Sequence, residues 1–333
     1  MGLDQAGKRP DEALRDALAD DMEAVNALIR ARMASEHAPR IPEVTAHLVE
    51  AGGKRLRPLL TLAAARLCGY EGAHHVALAA TVEFIHTATL LHDDVVDESA
   101  RRRGRPTANL LWDNKSSVLV GDYLFARAFQ LMVGTGSLAV LGILSDAAAR
   151  IAEGEVLQLT AAGNLATDED IYLKVVRGKT ATLFAAAAES GGVIAGASDE
   201  QVEGLRVYGD ALGIAFQMVD DFLDYGGAGD GIGKNIGDDF REGKLTLPVI
   251  KAVAAADAGE RAFWTRVLER GEQREGDLER ALALVAGHGA LAATRAEALA
   301  WAGRARAALA PLPDHPLRRI LEDLSDYVVA RVI

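Results

Sequence analysis

Apolar residues recur along this chain at three- and four-residue spacing, and Gly, Pro or Asn interrupts the pattern at intervals. The periodicity predicts helices at about 11–34, 41–51, 58–68, 74–98, 115–133, 137–162, 168–190, 199–225, 243–256, 258–270, 277–287, 291–309 and 315–331. No stretch alternates apolar and polar residues as a half-buried strand does. The fold class is therefore all-α. Two capping boxes support the boundaries: Thr167 with Asp170 ahead of "IYLKVVRGK", and Ser198 with Gln201 ahead of "VEGLRVYGDALG". Neither a repeat of fixed period nor a long Pro-, Ser- or Gly-rich linker divides the chain. One domain over 1–333 is expected, with the N-terminal helix at about 11–34 peripheral to it.

Composition narrows the function classes. Hydrophobic residues make up 50% and charged residues 25%, as in globular proteins, and the abundance of alanine favours helix. The formal net charge of -12 argues against a nucleic-acid partner, whose phosphates need a basic face. Any basic site has to be local. Cys68 is the only cysteine, which excludes an intrachain disulfide and fits a reducing cytoplasm. The opening "MGLDQAGKRPDEALRD" alternates charge and lacks the apolar core of a secretory signal. No run of about 18 apolar residues is present to span a bilayer, so membrane contact would be transient, through a product or a partner.

Two places in the helical pattern carry chemistry. In "LLHDDVVDESARRRGRP", Asp93 and Asp97 fall on one helical face a turn apart, with Asp94 beside them. "FQMVDDFLDY" repeats that spacing with Asp220, Asp221 and Asp224, one turn after Gln217. Like charges a turn apart destabilise a helix, and carboxylates in an apolar run are costly unless a cation joins them. One acidic run is usually a solvated face; two with the same internal spacing need another explanation. Oxygen ligands without nearby cysteine suit Mg²⁺ better than zinc. Cations lie close in sequence: Lys54, Arg55 and Arg57 in "GGKRLRP", Arg101, Arg102 and Arg103 after the first cluster, and Lys179 in "GKTA". Lys234 and Lys244 lie in or beside the Gly-rich "GGAGDGIGKNIGDDFREGK". Arginine forks and lysine point charges suit diphosphate oxygens. Together these features indicate a metal-bridged anion.

The stretches "GGKRLRP", "LLHDDVVDESARRRGRPTAN", "GKTATLF" and "FQMVDDFLDYGGAGDGIGKNIGDDFREGKLTLP" resemble the trans-prenyl diphosphate synthases of the long-chain, octaprenyl or decaprenyl type. These are helical enzymes that build linear isoprenoid diphosphates. Matching motifs run from about residue 52 to 250, and the terminal "DYVVARVI" is also similar, whereas 1–40 and 255–315 add none. The resemblance implies a bundle of about twelve to thirteen helices around a central cavity, the isoprenoid synthase type. It implies that Asp93, Asp94, Asp97, Asp220, Asp221 and Asp224 hold about three Mg²⁺ ions on the diphosphate of an allylic substrate. Arg102, Lys179 and Lys234 would help to hold that diphosphate, with Lys244 and Asp238 nearby. Lys54, Arg57, His86 and Arg103 would hold the diphosphate of isopentenyl diphosphate, and Thr180 and Gln217 match positions at the reacting end. A homodimer is implied too, through an apolar face such as "SSVLVGDYLFARAFQLMV".

The chemistry follows from the charges. Loss of diphosphate from an allylic carbon leaves a delocalised cation, and positive groups that stabilise the departing anion lower the barrier. The double bond of isopentenyl diphosphate then attacks, and a proton leaves to restore an allylic product. Closure of "GGAGDGIGKN" over the site would exclude water.

The resemblance implies that product length is set beneath the first acidic cluster. Thr89 and Ile85 precede Asp93 by one and two turns, with Ala88 adjacent. In the family, bulky aromatics at the positions matching Ala88 and Thr89 stop the product short, and none stands here. "GSLAVLGILSDAAARIA" is free of aromatics as well, and Leu141 or Leu144 is expected near the end of an apolar tunnel. A product of roughly eight to ten isoprene units, about C40–C50, is expected in such a tunnel. The alternatives are a shorter C15–C20 synthase, a class I terpene cyclase and a non-catalytic subunit of a heteromeric synthase. Two complete acidic clusters and "GGKRLRP" weigh against the last two. His74 and His75 are expected at the surface, and Phe84, Phe125 and Phe129 in the core or an interface.

Overall fold

The computed structural model describes residues 8–35, 37–50, 53–102, 104–226 and 236–330. The all-α expectation holds. The first helices are α1 (Pro10–Ala17), α2 (Ala19–Met33), α3 (Arg40–Glu50), α4 (Leu56–Leu67) and α5 (His74–Val96). A hairpin of β1 (Arg101–Arg102) and β2 (Arg105–Pro106) leads into α6 (Ala108–Leu111), α7 (Asn114–Gly134) and α8 (Leu138–Ala161). Next come α9 (Glu169–Val176), a π turn (Arg177–Ala181), α10 (Thr182–Ile194), α11 (Asp199–Gly226) and α12 (Asp238–Arg241). The chain finishes with α13 (Leu247–Ala255), α14 (Ala258–Trp264) and its π turn (Thr265–Glu269), α15 (Asp277–Gly287), α16 (Ala290–Ala308) and α17 (Pro316–Ala330).

These elements form two compact units, each assembled from three chain segments. The first comprises Met1–Ala148, Leu183–Gly209 and Ala308–Leu324; the second comprises Ala149–Thr182, Asp210–Ala307 and Ser325–Ile333. Each boundary between them falls inside a helix.

In the first unit α5 packs on α2, α4 and α7. Helix α4 is buried nearly all round, which its run of Leu and Ala permits. Helix α2 presents Met22, Val25, Ile29 and Met33 to the core at helical spacing. A polar clamp reinforces that contact. Asp21 accepts from Arg66 Nε at 2.8 Å and Nη2 at 2.7 Å, and from His75 Nε2 at 3.0 Å. His75 is thus buried, not a surface residue: a carboxylate 54 residues earlier partners its Nε2, while Nδ1 is buried with no hydrogen-bond partner among the described residues. The second unit encloses Trp264, Phe240, Phe263 and Tyr172 with aliphatic residues of α11, α13 and α15.

Several boundaries differ from the periodic reading. The helix expected over 11–34 breaks at Leu18, with no Gly or Pro to mark it. The one expected from 243 starts at Leu247, because Gly243 holds φ 69° and Pro248 favours the first helical turn. At Ser198 the capping box forms in both directions, at 3.1 and 3.3 Å. At the other site Asp168, not Thr167, caps the helix by accepting from Ile171 N at 2.9 Å, while the Thr167 hydroxyl donates to Ala161 O. A capping box not expected from the sequence joins Asp257 and Glu260.

Candidate active site

The first acidic cluster occupies the C-terminal end of α5, with Asp97 as the residue capping it. That is the negative end of the helix dipole, so three carboxylates there are unfavourable without a positive ligand. Asp94 is fully buried. Its Oδ1 accepts from Arg102 Nε and lies 2.8 Å from Arg102 Nη2. Its Oδ2 is buried with no hydrogen-bond partner among the described residues. Burial pushes the Asp94 carboxyl up from its ordinary value, Arg102 pulls it down, and Asp97 adds to the upward shift. The hairpin delivers Arg102: Arg101 pairs with Pro106 and Arg102 with Arg105, around Gly104 at φ 77°.

The basic motif enters α4 beside this face of α5. Arg57 Nη1 donates to His86 Nε2 at 3.3 Å, and its guanidinium lies 4.3 Å from the centre of the Phe184 ring. Arg55 pairs with Glu83, and Lys54 Nζ lies 3.7 Å from Asp11 of α1. His47, Glu83, His86, Leu90, Asp94 and Arg102 line one cleft in this unit.

In the second unit the other acidic cluster ends α11. The Tyr172 hydroxyl donates to Asp221 Oδ2 at 2.6 Å, and Gln217 Nε2 donates to Asp221 Oδ1 at 2.8 Å. Gln217 Oε1 in turn accepts from the Thr180 hydroxyl at 2.9 Å. Burial above all, then the Asp221 charge, pushes the Tyr172 phenol well up, so it remains a donor at neutral pH. Asp224 accepts from the backbone N–H groups of Asp238 and Asp239 at 3.2 and 3.1 Å, which caps α12. The π turn presents Lys179, whose ammonium meets Glu155 at 2.9 Å. Lys244 pairs with Glu242 at 2.6 Å.

The structure therefore brings Arg57 to His86, Arg102 to Asp94, and Thr180 to Gln217 and Asp221. Arg103 and Lys234 lie outside the described residues. Of the positions expected to set product length, Ile85, Ala88 and Leu144 are buried, and Thr89 and Leu141 are half-buried. The sequence reading missed Glu83, Glu155 and Tyr172. A charge amid the apolar "VEFIH", one turn before His86, was the available signal for Glu83; nothing local marked the other two.

No group of three His, Cys, Asp or Glu side chains among the described residues could hold a metal ion on its own. Magnesium commonly takes one or two carboxylates and completes its shell with water and substrate phosphates. The buried, unpartnered Asp94 Oδ2 is a hard oxygen donor of the kind such an ion satisfies, so the residues present fit it.

Comparison with known proteins places the chain. The family described as polyprenyl synthetase matches residues 38–285. Octaprenyl diphosphate synthase of Escherichia coli (strain K12) is 46% identical over 320 residues, 96% of this chain and 98% of that protein. A crystal structure of a decaprenyl diphosphate synthase from Rhodobacter capsulatus matches with TM-score 0.95 and 73% identity, covering 97% of this chain and 99% of that one. Polyprenyl synthase from Caulobacter crescentus CB15, complexed with calcium and isoprenyl diphosphate, matches with TM-score 0.92 and 53% identity over 97% of this chain and 98% of that one. In sequence and in its all-α isoprenoid synthase fold, the chain belongs to the polyprenyl synthetase family.

Proposed function

We propose that the chain is a trans-prenyltransferase that extends an allylic diphosphate, such as farnesyl diphosphate, with isopentenyl diphosphate to an all-trans polyprenyl diphosphate of about C40–C50. The observation that carries this reading is Asp94: a buried carboxylate at a helix C-terminus, bound on one oxygen by Arg102, in a cleft shared with His86. The long-chain products named for the relatives support the length.

Asp93, Asp94, Asp97, Asp220, Asp221 and Asp224 would hold Mg²⁺, about three ions by the family resemblance, which neutralises the allylic diphosphate when bound. Arg102, Lys179 and Lys234 stabilise that diphosphate as it departs and gains charge. Lys54, Arg57, His86 and Arg103 orient isopentenyl diphosphate, with Lys244 near the allylic site. Tyr172 and Gln217 keep Asp221 in one orientation. The proton lost after condensation passes to the released diphosphate, so no separate protein base is required.

Ile85, Ala88 and Thr89 leave room for a growing chain, which Leu141 and Leu144 would finally stop. The chain acts as one synthetase domain, since the boundaries of its units interrupt helices. It works as a homodimer in the cytoplasm. Leu119, Phe129 and Val133 form an exposed apolar stripe along α7 that supports the dimer, and no helix among the described residues is long and apolar enough to cross a membrane.

The test is a product assay with purified protein, Mg²⁺, farnesyl diphosphate and labelled isopentenyl diphosphate. Chains ending at about C40–C50 bear the reading out, in line with an open apolar tunnel. A stop at about C15–C20 keeps the chemistry and removes the long-chain assignment. No consumption of isopentenyl diphosphate overturns the function.

A further inference from the structure

The basic motif at the start of α4 is held from behind. Arg55 has φ 50° and ψ 33°, a left-handed conformation that residues with a Cβ keep only where their surroundings enforce it. Its guanidinium meets Glu83 Oε1 at 2.5 Å, and the two side chains are only 15% and 13% exposed. Glu83 stands one turn before His86 on α5, and His86 accepts from Arg57. One face of α5 therefore grips the two arginines on either side of Leu56, the first residue of α4. Glu83 also lines the cleft that contains His86, Asp94 and Arg102.

A carboxylate in a cleft meant for an anion opposes binding unless it has another task. We propose that Glu83 is a positioning residue for the isopentenyl diphosphate site: through Arg55 it holds the left-handed entry to α4 and so orients Lys54 and Arg57. This rests on the function proposed above. The same contact makes two opposite forecasts. If Glu83 contributed only charge, its neutralisation would tighten diphosphate binding. If it positions the motif, binding weakens in spite of the gain in positive potential.

The experiment uses the full-length enzyme and compares Glu83→Gln, Arg55→Ala and Arg55→Gly. Steady-state constants for isopentenyl diphosphate and farnesyl diphosphate are measured separately, and isopentenyl diphosphate binding is titrated by calorimetry. For Glu83→Gln, KM for isopentenyl diphosphate should rise about tenfold, with KM for farnesyl diphosphate and kcat within about twofold of the parent. Arg55→Gly should be milder than Arg55→Ala, since glycine adopts positive φ without strain. The double variant Glu83→Gln/Arg55→Ala should be no worse than its more impaired parent. A fall in KM, no change, or a parallel rise of both KM values would overturn the proposal. Should Glu83→Gln fail to fold, the order of the two Arg55 variants decides. A wild-type enzyme that neither binds nor consumes isopentenyl diphosphate would sink the functional reading itself, an outcome seen before any variant is compared.

Discussion

Gly154 and Gly178 meet backbone to backbone. A Cβ added to Gly154 would lie 2.6 Å from Lys179 N, and one added to Gly178 would lie 2.8 Å from Gly154 Cα. Helix α8 thus presses directly on the π turn that carries Lys179 and Thr180. Gly154→Ala should cost about 1–3 kcal/mol by overpacking and lower kcat by displacing both side chains. Denaturant titration and steady-state rates check this; unchanged stability and rate would show that the turn yields without consequence.

Tyr172→Phe removes the hydroxyl from Asp221 while keeping the ring in the core. About 1.5–3 kcal/mol of stability should be lost with a buried hydrogen bond to a charged group. The Mg²⁺ concentration for half-maximal rate should rise several-fold while KM for isopentenyl diphosphate stays constant. A variant with parental stability and Mg²⁺ dependence would remove Tyr172 from this role.

The Asp21 clamp is sensitive to acid. The Arg66 hydrogen bonds, opposed by partial burial and aided by His75, hold the Asp21 carboxyl below its ordinary value of 3.8. A folded value below the unfolded one means that this stabilisation is complete above about pH 4–5 and lost as pH falls through the folded value. Asp21→Asn should therefore be less stable by about 1–3 kcal/mol at neutral pH, with the gap closing below 3.8. A constant gap between pH 7 and 3 would contradict the ion-pair account.

Ala88→Phe tests the space below the first acidic cluster. Ala88 has no solvent exposure, and Ile85 one turn earlier has 1%. A benzyl group there should shorten the product to about C15–C20 with condensation retained, because the apolar space for the chain is filled. Chromatographic sizing of the products reads the result, and unchanged product length would move the tunnel away from this face of α5.

Cys68 should be a sluggish thiol. Burial pushes its pKa from 9.0 up to about 11. Because the thiolate is the nucleophile, alkylation should accelerate tenfold per pH unit past pH 9 and level off only near 11. A plateau at pH 9 in iodoacetamide kinetics would refute the shift.

The acidic clusters were legible because they violate a local rule: like charges repeated a turn apart within apolar helices. Their partners were not, because pairing across the fold leaves no local trace. Tyr172 and Asp221 are 49 residues apart, Glu155 and Lys179 are 24 apart, and Asp21 and His75 are 54 apart. Periodicity likewise carried straight through Arg177–Ala181, since a π turn adds one residue without breaking the apolar pattern. The two-residue strands at Arg101 and Arg105 were too short to alternate at all.

The cations assigned to diphosphate have acidic neighbours in the protein: Arg102 has Asp94, Lys179 has Glu155, Lys244 has Glu242 and Lys54 has Asp11. In the proposed reaction such built-in counter-ions would filter out small anions. Orthophosphate arriving alone would have to displace a carboxylate from each lysine or arginine and leave that carboxylate without compensation. At Arg102, a diphosphate that travels with its own divalent metal would supply both charges, anion for the guanidinium and cation for Asp94. Discrimination against common phosphates would then begin before any prenyl chain is recognised.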